Sequence, residues 1–173
     1  MLTLRQQMQS YGAYHRDPRN KLTHYFGVPL VTFSLFLFLG WFRFVHPEVL
    51  PISAATPFYL AVLVYYFRLD RLIALIQLPF TLPLLVAADW VAKQSLALSF
   101  SAFLVAFVLG WIIQLVGHAI EGRRPALADN ILQVFNAPLF LTVEALAHAG
   151  FRKDLLEVEA VEELAGSTGV GSH

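Results

Sequence analysis

Four residues of this chain are of the right types, at the right spacing, to do chemistry together: His15, His24, His118 and Glu121. His118 and Glu121 are three positions apart, which makes them neighbours on one helix face. His–Glu pairs at that spacing build metal sites inside helical bundles. His15 and His24 are nine apart. On one straight helix, at about 100° per residue, they would point to opposite sides. Asp17-Pro18 lies between them, and proline removes a donor and disfavours helix at the residue before it. The stretch Asp17-Pro18-Arg19-Asn20 therefore reads as a break that turns both imidazoles toward one centre. Three imidazoles with a carboxylate and no thiolate suit a divalent first-row metal, whether iron, zinc or manganese. Taken singly, each histidine has a plainer reading as a hydrogen-bonding residue at a membrane interface. There is no HExxH motif and no HxxHH box.

The elements that must position these residues are membrane helices. The chain is 57% hydrophobic and only 14% charged, where soluble domains carry about a quarter charged residues. Twelve basic and twelve acidic residues cancel, so no nucleic-acid partner is implied. The absence of cysteine excludes a disulfide framework, a thiolate metal site and a cysteine nucleophile. Residues 28–45, 52–67, 72–91 and 96–116 are nearly continuous apolar runs; crossing the hydrocarbon takes about 20 such residues. The second run is short. Runs of this kind leave no polar face for water, which sets aside a soluble bundle. The expected fold is all-α: an integral membrane helical bundle of about four transmembrane helices plus a fifth short re-entrant or interfacial segment. That fifth segment, 131–147, is interrupted by Gln133, Asn136, Pro138 and Glu144. Residues 1–165 read as one membrane-embedded catalytic domain without a secretory signal. An amphipathic stretch at 154–163 precedes a small, polar tail, 166–173, expected to be disordered.

Basic residues set the orientation. Arg5, Arg16, Arg19, Lys21, Arg68, Arg71, Arg123 and Arg124 share one face if the first four segments each cross once. Arg43 and Lys93 take the other. The N-terminus is therefore expected to be cytoplasmic. Arg152 and Lys153 join the basic face if the fifth segment dips in and returns. The same topology puts His15, His24, His118 and Glu121 at one interface. Gln114, one turn before His118, could hold a ligand or substrate, or only an interhelical hydrogen bond. Arg123, with Arg124, could grip a substrate carboxylate or only anchor the cytoplasmic face. Glu144 must be paired or protonated and could orient a ligand. Asp70 reads as a turn residue, Asp89-Trp90 as an interface anchor and His46 as an exposed loop histidine. His148 can reach the site only if the fifth segment returns.

With these residues in view, a family resemblance emerges. Tyr14-His15-Arg16-Asp17-Pro18-Arg19-Asn20-Lys21-Leu22-Thr23-His24-Tyr25-Phe26-Gly27-Val28-Pro29 resembles the opening signature of the 2-hydroxy fatty acid dioxygenase family. That family comprises the fungal protein of phytosphingosine breakdown and its bacterial relatives. Gln114-Leu115-Val116-Gly117-His118-Ala119-Ile120-Glu121, with Pro125-Ala126-Leu127 and Asp129-Asn130, is similar to its second signature. Ala137-Pro138-Leu139-Phe140, Glu144 and Gly150-Phe151-Arg152 are similar to its closing segment. The resemblance implies an Fe(II) enzyme of the membrane that takes a long-chain 2-hydroxy fatty acid and O2 and releases the acid one carbon shorter. The balance RCH(OH)COOH + O2 → RCOOH + CO2 + H2O closes without an outside reductant. Carried over residue by residue, His15, His24 and His118 are the iron ligands, and Glu121 is a fourth ligand or the carboxylate that orients one. Asn20 and Gln114 match polar positions that would support them. His46 and His148 fall outside the pattern. The acyl tail would lie between the spans, among membrane lipids, in a bacterial inner membrane or, in a eukaryote, the endoplasmic reticulum. Two other readings use the same residues: a zinc-dependent membrane lipid hydrolase, and a non-catalytic lipid-binding protein.

Overall fold

A computed structural model describes residues 3–44, 52–125 and 134–156. His46, Asp129-Asn130, the start of the fifth segment, most of the 154–163 stretch and the 166–173 tail lie outside the described residues. Among the described residues there are six α-helices and no sheet: α1 (Leu4–Gly12), α2 (Pro18–Gly40), α3 (Ala55–Leu69), α4 (Arg71–Ala92), α5 (Leu96–Glu121) and α6 (Asn136–His148). A 3-10 turn, Lys153–Leu155, follows α6. The all-α expectation holds.

Local chemistry sets the helix ends. Pro18 opens α2 and Asp17 caps it, accepting from the Arg19 N–H at 2.8 Å, so the break expected at Asp17-Pro18 is a helix start. Asp70 ends α3 and caps α4, accepting from the Ile73 N–H at 3.0 Å, which makes the α3–α4 connection a one-residue turn. Ser95 caps α5. The other end of α5 is Gly122, at φ 70°, a left-handed position that favours glycine. Helix α1 was not among the expected elements. It is short and polar, and Thr3 and Gln6 close a capping box at its start.

Helices α2, α4 and α5 are long and apolar enough to cross a membrane. Helix α3 has 15 residues, about 22 Å at 1.5 Å per residue, short of the ~30 Å hydrocarbon layer. The apolar run at 52–67 is longer than its helix because its first residues do other work. Ile52 and Ala54 pair with Phe44 and Phe42 through backbone hydrogen bonds of 3.3 and 2.8 Å. Crossing length is thus reached by three helices among the described residues, not by about four. On α5, Leu98, Leu104, Val105, Val108, Ile112 and Val116 are all exposed. A continuous outward apolar row of that size suits lipid rather than water.

Helix α2 is the centre of the bundle, packed on α5 and α4. Its seam with α5 is closed by glycines. A side chain at Gly117 would run into Thr23 and Asn20, and one at Gly27 into Gln114. Small residues of this kind let two backbones approach closely. Helix α6 has 13 residues and buries Ala137, Leu139, Phe140 and Val143 against α1, α2 and α4. The chain leaves α5 and comes back at the same end of the bundle: Arg123 donates to the Ala13 carbonyl at 2.9 Å, and Arg152 pairs with Asp70 at 2.8 Å. At the opposite end, Asp89 meets Arg43 at 3.0 Å and Lys93 at 2.7 Å, beside an exposed Trp90.

Candidate metal centre

His15 sits in the connection between α1 and α2, 2% exposed. Its ring stacks on Tyr11, with centroids 4.2 Å apart and planes 7° from parallel. Its Nδ1 is 2.8 Å from the Tyr11 carbonyl oxygen. His24 lies in the second turn of α2, and its Nδ1 is 3.0 Å from the Asn20 carbonyl oxygen. A carbonyl oxygen only accepts, so in both rings Nδ1 carries the hydrogen and Nε2 is left with a bare lone pair. Those two Nε2 atoms face each other at 3.2 Å. Two lone pairs at that separation repel unless a cation lies between them. Two nitrogens each about 2.1 Å from one ion, with about 100° between the bonds, would stand about 3.2 Å apart.

His118, near the end of α5, completes the group. Its ring centroid is 4.9 Å from that of His15 and 5.0 Å from that of His24. One ligand atom from each of the three lies within 4.8 Å of the other two. The Nδ1 of His118 is buried without a protein partner. Burial, above all, holds the His15 imidazole down at about 3, so this ring is neutral at pH 7 and its lone pair is available. Three imidazoles, with tautomers set by backbone carbonyls in two of them, fit a divalent first-row ion.

Glu121 stands beside this group rather than in it. Its Oε1 accepts from the Arg16 N–H at 3.0 Å, and its Oε2 from the Asp17 N–H at 2.7 Å and the Asn20 Nδ2 at 3.2 Å. It therefore fastens the end of α5 to the backbone that carries His15. Asn20 is fully buried and links Glu121 to His24, since its side-chain Nδ2 donates to the one and its main-chain carbonyl accepts from the other. Arg123 holds the same connection through Ala13. Gln114 lines a cavity of about 50 Å³ together with His24, His118, Trp111, Thr32 and Tyr11. Glu144 is not part of the group that His15, His24 and His118 form. It is buried and ion-paired with Lys21, tying α6 to α2. His148 turns its Nδ1 to the Glu144 carbonyl at 2.8 Å and stays outside the histidine group.

The roles of two residues were not read from the sequence. Tyr11 supplies both the stacking ring and the carbonyl for His15; its place four residues before His15 was the available signal. Lys21 neutralises Glu144 from 123 positions away, and nothing local announces that pairing.

The family model described as 2-hydroxy-palmitic acid dioxygenase Mpo1-like matches residues 1–149. Over 154 residues the chain is 34% identical to a Saccharomyces cerevisiae protein named 2-hydroxy-palmitic acid dioxygenase MPO1, covering 87% of this chain and 84% of that protein. No solved structure matches the chain.

Proposed function

The chain belongs to the Mpo1-like family of 2-hydroxy-palmitic acid dioxygenases, and on that premise we propose that it is an Fe(II)-dependent membrane dioxygenase of long-chain 2-hydroxy fatty acids. The bond between C1 and C2 breaks, O2 is reduced, and the acid leaves one carbon shorter. The observation that carries the metal part of this reading is the pair of bare Nε2 atoms, 3.2 Å apart, on His15 and His24.

His15, His24 and His118 would hold the ion, and its chemistry when bound is to let O2 react with the 2-hydroxy acid. The Tyr11 and Asn20 carbonyls keep two of the ligand rings in the tautomer that can donate a lone pair. Glu121 acts as a positioning residue, holding residues 16–17 and so the approach of His15. Gln114 lines the cavity next to His24 and His118, within reach of a substrate hydroxyl or carboxylate. The burial of all three histidines keeps bulk water from the reacting centre. Helices α2, α4 and α5 cross the membrane with α3 as a shorter fourth, α6 dips and returns, and the basic face that carries the histidines is cytoplasmic. The membrane in this reading is a bacterial inner membrane. Residues 1–165 work as one domain.

Three imidazoles also hold zinc in hydrolases, so the test must separate iron from zinc and both from no metal. Detergent-purified protein is analysed for metal, then supplied with 2-hydroxypalmitate. The expected result is stoichiometric iron, and a fifteen-carbon acid formed only with Fe(II) and air. Equal product without O2 sinks the dioxygenase reading. Absence of metal, with activity indifferent to His118→Ala, sinks both metal readings.

A further inference from the structure

The cavity beside the histidines, about 50 Å³, is too small for a long acyl chain, since sites that enclose a whole small ligand run to about 300–1,000 Å³. The tail of a long 2-hydroxy acid must leave it. The cavity reaches Thr32, eight residues along α2 from His24 and so about 12 Å deeper. Val28 and Thr32, one turn apart on one face of α2, also line a second cavity of about 500 Å³ between α2, α4 and α6. That is within the ~300–1,000 Å³ of sites that enclose a whole small ligand. Its walls include Pro29, Ile76, Phe80, Leu84, Leu141 and Leu146. Four of the polar side chains on the same walls, Thr142, Gln77, Thr81 and Tyr25, are already engaged. Thr142 donates to Gln77, Thr81 meets Tyr59 at 3.1 Å, and Tyr25 donates to the Leu141 carbonyl at 3.3 Å. A wall most of whose polar groups are so engaged calls for an apolar occupant.

We infer that the groove between α2, α4 and α6 is the binding site for the aliphatic tail of the substrate, reached from the histidine cavity over Val28 and Thr32. The inference rests on the dioxygenase reading for what the head group is. The groove itself favours a chain that is long and apolar. Thr32, lining both cavities, is the specificity-determining position.

The test uses the full chain in phosphatidylcholine nanodiscs and a 2-hydroxy fatty acid carrying a diazirine at its methyl end. Labelled residues are read by mass spectrometry without O2, so turnover is not needed. Labelling of Phe80, Leu84 or Leu146 is expected, displaced by unlabelled 2-hydroxypalmitate and not by added phosphatidylcholine. Displacement by both alike would mean that bulk lipid fills the groove, and would overturn the inference. So would labelling confined to other helices. Thr32→Phe, which narrows the passage, should weaken labelling at least about tenfold and move the preferred substrate to shorter chains. Ala145→Phe does the same from the exposed rim of α6, where folding is not at risk. Unchanged labelling in Ala145→Phe with metal retained would count against the groove. Specific labelling with no oxygen-dependent product would leave the groove standing and remove the dioxygenase. Product with labelling elsewhere would do the reverse.

Discussion

The two ends of the bundle treat their polar groups in opposite ways. At the end that carries Trp90, Asp89 has Arg43 at 3.0 Å and Lys93 at 2.7 Å, so opposite charges neutralise one another within the protein. At the other end, two imidazole nitrogens of the same kind face each other at 3.2 Å, and a third imidazole has a buried ring nitrogen with no partner. Buried polar groups in native proteins nearly always find partners. At the first end the carboxylate is matched by two cations, although the Arg43 Nη1 is buried without a partner. The second presents like donors to one point, an arrangement that a cation from outside would complete. The comparison teaches that a cluster of opposite charges balances itself within the protein, whereas a convergent set of like donors invites a cation.

The largest effect should come from breaking the second end directly. His24→Ala removes one of the two facing nitrogens and should abolish stoichiometric metal, with turnover lower by more than about a hundredfold. Asp89→Asn at the other end should leave metal content unchanged and lower stability by about 1–2 kcal/mol. Metal analysis and thermal unfolding in detergent read both variants. Equal metal loss in the two would erase the distinction between the ends.

Next in size is Glu121→Gln. An amide of the same shape keeps one acceptor for the Arg16 and Asp17 N–H groups but presents a donor to the other. The connection bearing His15 loosens, and metal affinity should fall about tenfold. Glu121→Asp, which keeps the charge on a shorter arm, should recover part of it. A competitive chelator titration measures this. No change in affinity would reduce Glu121 to a fastening that the metal does not feel.

Much of the near end was legible in the sequence, for identifiable reasons. Asp17-Pro18 is a local signal, and it located the break that turns His15 and His24 together. The basic residues located His118 at the same end. The role of Glu121 was harder to see. Spacing put it on the face of His118, but not within reach of the Arg16 and Asp17 amides, which are more than a hundred positions away. Helix α1 hid because it is short and polar, although Thr3-Leu4-Arg5-Gln6 carries its capping box. The run at 52–67 begins before its helix because hydropathy cannot tell a helical residue from one paired with Phe42 or Phe44. The Lys21–Glu144 and Arg152–Asp70 pairs, which seat α6 and the turn after it, join distant positions with no pattern to foretell them.

A smaller effect is expected at the helix seam. Gly117→Ala places a methyl against Thr23 and Asn20, so α5 must shift from α2, and His118 with it. Stability should fall by about 1–3 kcal/mol and metal affinity by a few fold. Gly122→Ala, also on α5 but with open space around it, strains only its left-handed backbone, by about 1 kcal/mol, and should leave affinity alone. If the two variants bind metal equally well, the close approach of α2 and α5 does not set the ligand geometry.

The smallest effect is at Asp70, which lies at the histidine end but is paired in the manner of the opposite one. Burial opposes its ionisation, yet the Ile73 amide and Arg152 together hold its carboxyl below the usual range. Asp70→Asn keeps a good cap for α4 and removes only the ion pair with Arg152, so a loss of about 0.5–1 kcal/mol is expected at pH 7. The sign of its pH dependence follows from the lowered folded value. The wild-type advantage is present above the unfolded aspartate value of about 3.9 and disappears as pH falls through the folded one. Unfolding midpoints of the two proteins should therefore differ at pH 7 and converge below about pH 4, since the histidines titrate alike in both. A difference that persists in acid would mean that the Asp70 charge is not its source. Metal loss in Asp70→Asn would mean that the ion pairs around the histidines are part of the centre, and that the contrast runs between residues rather than between ends.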